Sequence, residues 1–239
     1  MDGTAVKEIK RIVEDSARIV EVDGVNYTNG NFHILRHKDR AETLGFNNLS
    51  SLVPILKNEI GRDDFKKPLY IIVADHRDVV VVTSLDDDLD RDRLYGVMTE
   101  ESDFRFGRYY GYEEFVIALR SKFTDTGDRE SLLEYLKKIS DVQGVEISDD
   151  GVSQSVTTSS SVRGALSVPP IQRLAPYRTF TEVDQPASEF LFRVRQGGEF
   201  ALFEADGGAW KHEARRNITK FYEEAFKDEI ANGSVFVLS

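Results

Sequence analysis

The stretch from Pro186 to Lys211, PASEFLFRVRQGGEFALFEADGGAWK, constrains the fold more than any other part of the chain. Two runs of alternating residues flank Gly197-Gly198. A Gly-Gly pair suits a two-residue primed hairpin turn, because both central residues must take φ > 0. Pairing outward from such a turn sets Val194 opposite Ala201, Phe192 opposite Phe203 and Phe190 opposite Ala205, which gives one apolar face. The other face then carries Leu191, Arg193 and Arg195 against Glu204, Leu202 and Phe200, with Arg193 and Glu204 as diagonal neighbours able to form an ion pair. A second face of mixed character is expected of a sheet covered there only in part, or by a partner.

The rest of the chain alternates helix and strand signals. Ala5, Ile9, Ile12 and Val13 form one stripe of a helix from Thr4 to about Ser16. Asp23-Gly24 marks a hairpin, and Asn31 to Arg36 reads as a further strand. Leu49 to Ile60 is helical, with Pro54 in its first turn and Gly61 closing it. Leu69 to Ala74 and Val79 to Thr83 are nearly continuous apolar runs, the pattern of strands buried on both faces, and the turn between them should expose His76. Helices follow at Glu113 to Phe123, Ser131 to Ser140 and Ala214 to Ile230. Asn232-Gly233 stops the last of these, leaving Val235 to Leu238 to close a sheet edge. Asp149 to Val162 reads as a Ser/Thr-rich linker by composition and as a strand by period. The strand reading is preferred, since Val152 to Arg163 contains neither Gly nor Pro.

These elements give an α+β fold. Helices on a small sheet form the N-terminal half, residues 1–145. An antiparallel β-region with one packed helix at about 212–230 forms the second, residues 146–239, unless the two halves make one continuous domain.

Composition narrows the chemistry. The chain has no cysteine, which excludes disulfides, thiolate catalysis and cysteine-bound metal and fits a reducing cytoplasm. No apolar run approaches the roughly 20 residues that span a bilayer, so no membrane association is expected. The opening MDGTAVKEIKRIVED is too acidic and too periodic for a signal or transit peptide. A net charge of −11 repels phosphate backbones, so nucleic acid would need a local basic patch. The acidic run from Ser84 to Arg93 reads as a solvated loop, without the glycine and closing glutamate of a calcium loop.

Phosphate-loop, nucleophile-elbow and zinc-protease signatures are missing, so no catalytic residue, metal ligand or cofactor is assigned. His33 and His37 would share a helical face, but in a strand they stand roughly 13 Å apart and do not make a metal pair. The best constellation is Arg178, Arg193, Arg195, Glu204, Asp206 and Trp210. Glu204 and Asp206, two apart, could share one strand face and act as acid and base or hold a metal. Asp103 to Gly111, DFRFGRYYG, adds Arg105, Arg108 and Tyr109 as an aromatic–basic surface. The same string also reads as an edge strand whose aromatics pack on the following helix.

The strings DGVSQ (Asp150 to Gln154), APYRTFTEVDQPASEFLFR (Ala175 to Arg193) and LFEADGGAWKHEA (Leu202 to Ala214) resemble the YfdQ-like family of phage- and prophage-encoded proteins. VDGVNYTNG, LSSLVPIL and FGRYYGYEEFVIALRSKF look similar in the same order, so the resemblance spans most of the chain. It implies a phage or prophage origin and a bacterial cytoplasmic setting, often beside recombination and replication functions. It carries no catalytic residues with it. The expected function is that of a non-enzymatic accessory protein, a homo-oligomer that binds a host or phage protein. The alternatives are a nucleotide- or nucleic-acid-binding protein using the arginines named above, and a metal-assisted hydrolase using Glu204 and Asp206.

Overall fold

Two clusters of buried apolar side chains organise the chain, each set between a sheet and a pair of helices. The structure is a computed structural model that describes residues 4–5, 7–8, 11–12, 19–22, 25–28, 42–62, 67–86, 89–100, 102–140, 145–149, 154–158, 170–195 and 197–239. In chain order the first elements are β1 (Ile19–Val22), β2 (Val25–Thr28), β3 (Leu44–Phe46), α1 (Leu52–Ile60), β4 (Leu69–Val73), β5 (Asp78–Thr83) and β6 (Arg93–Met98). Next come α2 (Tyr112–Lys122), α3 (Arg129–Ser140), β7 (Val145–Asp149), β8 (Gln154–Thr158) and β9 (Ile171–Leu174). The chain continues through β10 (Ser188–Arg195), β11 (Glu199–Glu204), α4 (Trp210–Ala225), α5 (Lys227–Ala231) and β12 (Val235–Leu238). The fold is α+β, as the sequence predicts.

Met1–Ala41 forms one compact unit and Glu42–Ser239 the other. In the first, residues 4–5, 7–8 and 11–12 are helical. β1 pairs antiparallel with β2 and Val22 faces Val25, so two residues join the strands as the Asp23-Gly24 signal requires. Asp23-Gly24 itself, the expected strand at Asn31 to Arg36, and His33 and His37 lie outside the described residues. So do 150–153 and 159–169, which leaves the expected long strand described only as β8, paired antiparallel with β7.

In the second unit, five strands run in the order β12-β4-β5-β6-β3, with parallel outer pairs and antiparallel inner ones. Leu69, Ile71, Val73, Val79, Val81 and Val97 are buried on one face beneath α1 and α4. Tyr70, Ile72, Val80 and Val82 point the other way and stay partly exposed. The continuous apolar runs of β4 and β5 are therefore buried on one face, not on both. The pleat alternates even where the sequence does not. The second sheet, β11-β10-β9, is antiparallel and packs on α2 and α3. The packing crosses the two halves of the chain. α4 and β12 complete the sheet of the first half, while α2 and α3 cover the sheet of the second.

The hairpin register differs from expectation by one residue. Arg195 pairs with Glu199, Phe192 with Leu202 and Phe190 with Glu204, so three residues rather than two connect the strands. Gly197 and Gly198 both take positive φ, at 96° and 72°. A one-residue slip moves every side chain of β11 to the other face. Here it joins Phe200 and Leu202, both buried, to Phe190, Phe192 and Val194. The two-residue turn would instead have offered Ala201, Phe203 and Ala205, a smaller apolar surface. Burial decides the register over turn preference.

Three more local outcomes refine the reading of the second unit. Asp103 to Gly111 is a loop with a single bridge, Tyr110 to Phe200, and not an edge strand. Phe104 and Tyr110 are buried there with ring centroids 5.0 Å apart. The expected helix to Ile230 breaks at Phe226, whose φ of −114° and ψ of 26° end α4 before α5 begins. In the acidic run, the Asp86 carboxylate accepts the Asp90 N–H at 2.8 Å.

Candidate functional site

A cleft of about 520 Å³ opens where the β4–β5 turn, the loop before α2, the end of β11 and the start of α4 converge. Its floor is Arg178, carried by the loop between β9 and β10. Gln185 shapes that loop: its side-chain oxygen accepts the N–H groups of Arg178 at 3.0 Å and Thr179 at 3.3 Å. Its amide donates to the carbonyls of Phe180 at 2.8 Å and Val183 at 3.1 Å. The same loop sends Glu182 to accept the N–H groups of Leu49 and Ser50, just ahead of α1.

Arg178 is only 6% exposed. Its Nη1 donates to Glu204 Oε1 at 2.8 Å and its Nη2 to Ser188 Oγ at 2.6 Å. Its guanidinium carbon lies 3.8 Å from the Trp210 ring centroid and 5.3 Å from that of Phe190. Nε is buried and makes no hydrogen bond among the described residues. Burial lowers the Arg178 pKa to about 10, and the charges of Glu204 and Asp206 hold it from falling further. The guanidinium is thus charged at neutral pH.

Trp210 is the first residue of α4 and is buried. The preceding turn, Asp206-Gly207-Gly208, is fixed by the Asp206 carboxylate, which accepts the N–H of Gly208 at 3.1 Å and of Trp210 at 3.2 Å. Gly207 and Gly208 have φ of 63° and 84°, and no atom lies within 4 Å of where a Cβ would stand. The backbone of this turn is therefore open to close approach.

His76 meets the edge of Trp210, with centroids 4.8 Å apart and rings at 81°. It is 7% exposed, which corrects the expectation that the turn leaves it in solvent. The tryptophan and the 175–185 loop cover it: Thr179 Oγ1 donates to the His76 carbonyl, and His76 Nδ1 meets the Asp75 carboxylate. Burial pushes the imidazole below its ordinary 6.5 despite the pull of Asp75, and Arg77 and Lys211 push it further. Aromatic rings line the cleft as well. Phe106 is partly exposed there, stacked on Phe190 at 5.0 Å, with Phe104 beside it. Three cationic side chains, Arg77, Arg178 and Lys211, line the cleft with two carboxylates, Asp75 and Glu204, in a chain whose net charge is −11.

Of the residues singled out by sequence, Arg178, Glu204, Asp206 and Trp210 come together. Arg193 does not join them. It lies opposite Ala201 on the other face of the ribbon, its Nη1 on the Phe192 carbonyl at 3.3 Å, so the expected Arg193–Glu204 pair does not form. Arg195 pairs with Glu199 at 2.5 Å and covers Tyr109, 4.5 Å from its centroid. Arg108 reaches Glu114 at 3.4 Å and the Tyr110 ring at 4.8 Å. Arg105 contributes its backbone, which exchanges hydrogen bonds with the Tyr110 hydroxyl at 2.8 and 3.1 Å. Glu204 and Asp206 do not form a carboxylate pair either, since one serves Arg178 and the other the turn. His76, Phe106 and Lys211 were not read from sequence as site residues. Phe106 and Lys211 carried local signals, the first inside DFRFGRYYG and the second after the Gly-Gly-Ala-Trp string.

Among the described residues no group of three His, Asp or Glu side chains could hold a metal ion, and no helix is long and apolar enough to cross a membrane. Comparison of the chain with protein-family models, with curated proteins and with solved structures finds no match.

Proposed function

We propose that the protein is a binding protein and not a catalyst, and that the Arg178–Trp210 cleft holds an anionic group of its ligand. The observation that carries this reading is the exposed Lys211, which lines with Arg77 and the open Gly207-Gly208 turn a cleft floored by the charged, fixed guanidinium of Arg178. A preorganised cation in a concave, partly aromatic site is what anion recognition needs. The groups that acid–base chemistry would use are already engaged: Glu204 with Arg178, Asp206 with its turn, His76 with Asp75. That arrangement favours holding a ligand over moving a proton. The resemblance to YfdQ-like proteins supports a phage or prophage origin and a bacterial cytoplasmic setting, and the acidic composition and edge-rich β-region support an accessory protein that works as a homo-oligomer.

The chain has one tryptophan, so its emission reports on this cleft alone. Titration with small organic carboxylates, sulfonates and phosphate esters, followed by Trp210 fluorescence and calorimetry, tests the reading. Saturable binding that Lys211→Glu weakens supports it. If no anion of any class binds saturably, the reading is wrong.

A further inference from the structure

The cleft asks for more than a negative charge. Its walls differ in chemistry, and a ligand that satisfies all of them must carry several features at once. Lys211 and Arg77 line the same cleft as the open Gly207-Gly208 turn, where an anion can come close to the backbone without meeting a Cβ. Phe106 presents a partly exposed aromatic surface in the same cleft, stacked on Phe190 at 5.0 Å and edge-on to Phe104 at 5.1 Å, with the Arg178 guanidinium 5.8 Å from its centroid. Glu204, with 41% of its side chain exposed, and Asp75, with 54%, offer carboxylate oxygens to a ligand's hydroxyl or amino donors. A volume of about 520 Å³ lies well inside the roughly 300–1,000 Å³ of small-molecule sites.

The geometry points to nucleoside phosphates as the ligand class, an assignment that rests on the anion-binding reading above and gives it a chemical identity. The phosphate lies against Lys211, Arg77 and the Gly207-Gly208 turn. The base stacks on Phe106, since any base has a π-face and aromatic stacking is tolerant of its identity. The sugar hydroxyls or an exocyclic amine donate to Glu204 or Asp75. A simple dicarboxylate meets the cations but leaves Phe106 uncovered and places its own charge beside Asp75 and Glu204. An uncharged nucleoside brings no charge to Lys211. Arg178 remains the fixed positive floor and keeps its bond to Glu204.

The test is a calorimetric titration of the full chain with nucleoside 5′-monophosphates, the parent nucleosides, ribose 5-phosphate, inorganic phosphate and succinate, with Trp210 emission read in parallel. The monophosphates are expected to bind saturably, and the nucleosides and ribose 5-phosphate at least about tenfold more weakly. Lys211→Glu, at an exposed position, should weaken the monophosphates by about tenfold or more, and added salt should weaken them too. Phe106→Leu should weaken the monophosphates while leaving inorganic phosphate unchanged. Nucleosides binding as tightly as their phosphates, ribose 5-phosphate binding as tightly as the nucleotides, or indifference to Lys211→Glu would each overturn the assignment. Binding of succinate alone overturns it too, yet leaves the anion-binding reading intact; binding of nothing in the panel or in the wider anion series removes both.

Discussion

The guanidinium of Arg178 and the ring of Trp210 are in van der Waals contact, 3.8 Å from carbon to centroid, and each buries the other. A cation on an indole face gains electrostatic stabilisation that grows as water is removed. The Glu204 and Ser188 hydrogen bonds leave the guanidinium no rotational freedom.

Replacing Arg178 by methionine removes the charge, the stack and both hydrogen bonds while keeping some of the volume. Glu204 is partly exposed and regains water, so the cost stays below that of a stranded buried ion. The expected loss is about 2–4 kcal/mol of unfolding free energy, read as a lower urea midpoint. Trp210 emission should shift to the red in the same variant, and Arg178→Lys should restore only part of either property.

His76 makes stability depend on pH. Its folded-state pKa lies below the ordinary 6.5, burial being the main cause, so the unfolded chain takes up the proton first. The stability tied to neutral His76 is complete above that ordinary value and is lost as pH falls through it toward the lower folded pKa. The loss cannot exceed roughly 1.4 kcal/mol per pH unit for one proton. Asp75 acts further down: burial opposes its ionisation, but the hydrogen bonds from His76 prevail and keep its carboxyl below 3.8, so its contribution disappears only in stronger acid. Denaturation midpoints at about pH 7.5 and about pH 5.5 should differ for the natural chain and differ less for His76→Gln.

The hairpin register predicts an asymmetry between two phenylalanines of one strand. Phe200 is 1% exposed in the core and Phe203 lies on the other face, partly exposed. Phe200→Ala should cost about 3–5 kcal/mol and Phe203→Ala less than about 1.5 kcal/mol. Had the two-residue turn set the pairing, their order would be reversed. Equilibrium denaturation of the two variants side by side decides it.

Gly127 is the glycine least able to change. It takes φ of 60°, and a Cβ there would stand 2.4 Å from the Arg173 carbonyl oxygen, part of the backbone that Asp128 also holds. Gly127→Ala should destabilise by about 3 kcal/mol or more, combining strain with a clash that no rotamer relieves. Gly197→Ala, at φ of 96° in open space, should cost only about 1–2 kcal/mol. Thermal unfolding of the pair separates the two effects.

Periodicity made most elements readable, from α1 with Pro54 in its first turn, where local pattern and burial agree, to the strands β4 and β5, whose continuous apolar runs revealed the strands but not that only one face is buried. The hairpin was legible as a hairpin and misread by one residue. Turn chemistry favoured the glycine pair, while the larger apolar area of Phe200 and Leu202 favoured a three-residue connection. The acidic and basic members of the site were named in part. Arg178, Glu204 and Trp210 sit on or beside one hairpin, whereas His76 reaches them through a contact between Thr179 and a turn a hundred residues earlier. No local pattern encodes that contact, and a histidine in a polar turn gives no sign that a tryptophan will cover it.

β12 lies parallel to β4, with Val235 beside Leu69 and Leu238 beside Ile72. A ribosome makes LYIIV long before it makes VFVL, so during synthesis one edge of β4 stays without its neighbour while most of the remaining chain is added. That order sets a delay. Contacts so distant in sequence form late and slowly, and an apolar strand edge left open in the meantime is a template for other nascent chains. Yield in a cell should therefore rise when synthesis from β4 through β12 is fast relative to encounters between unfinished chains.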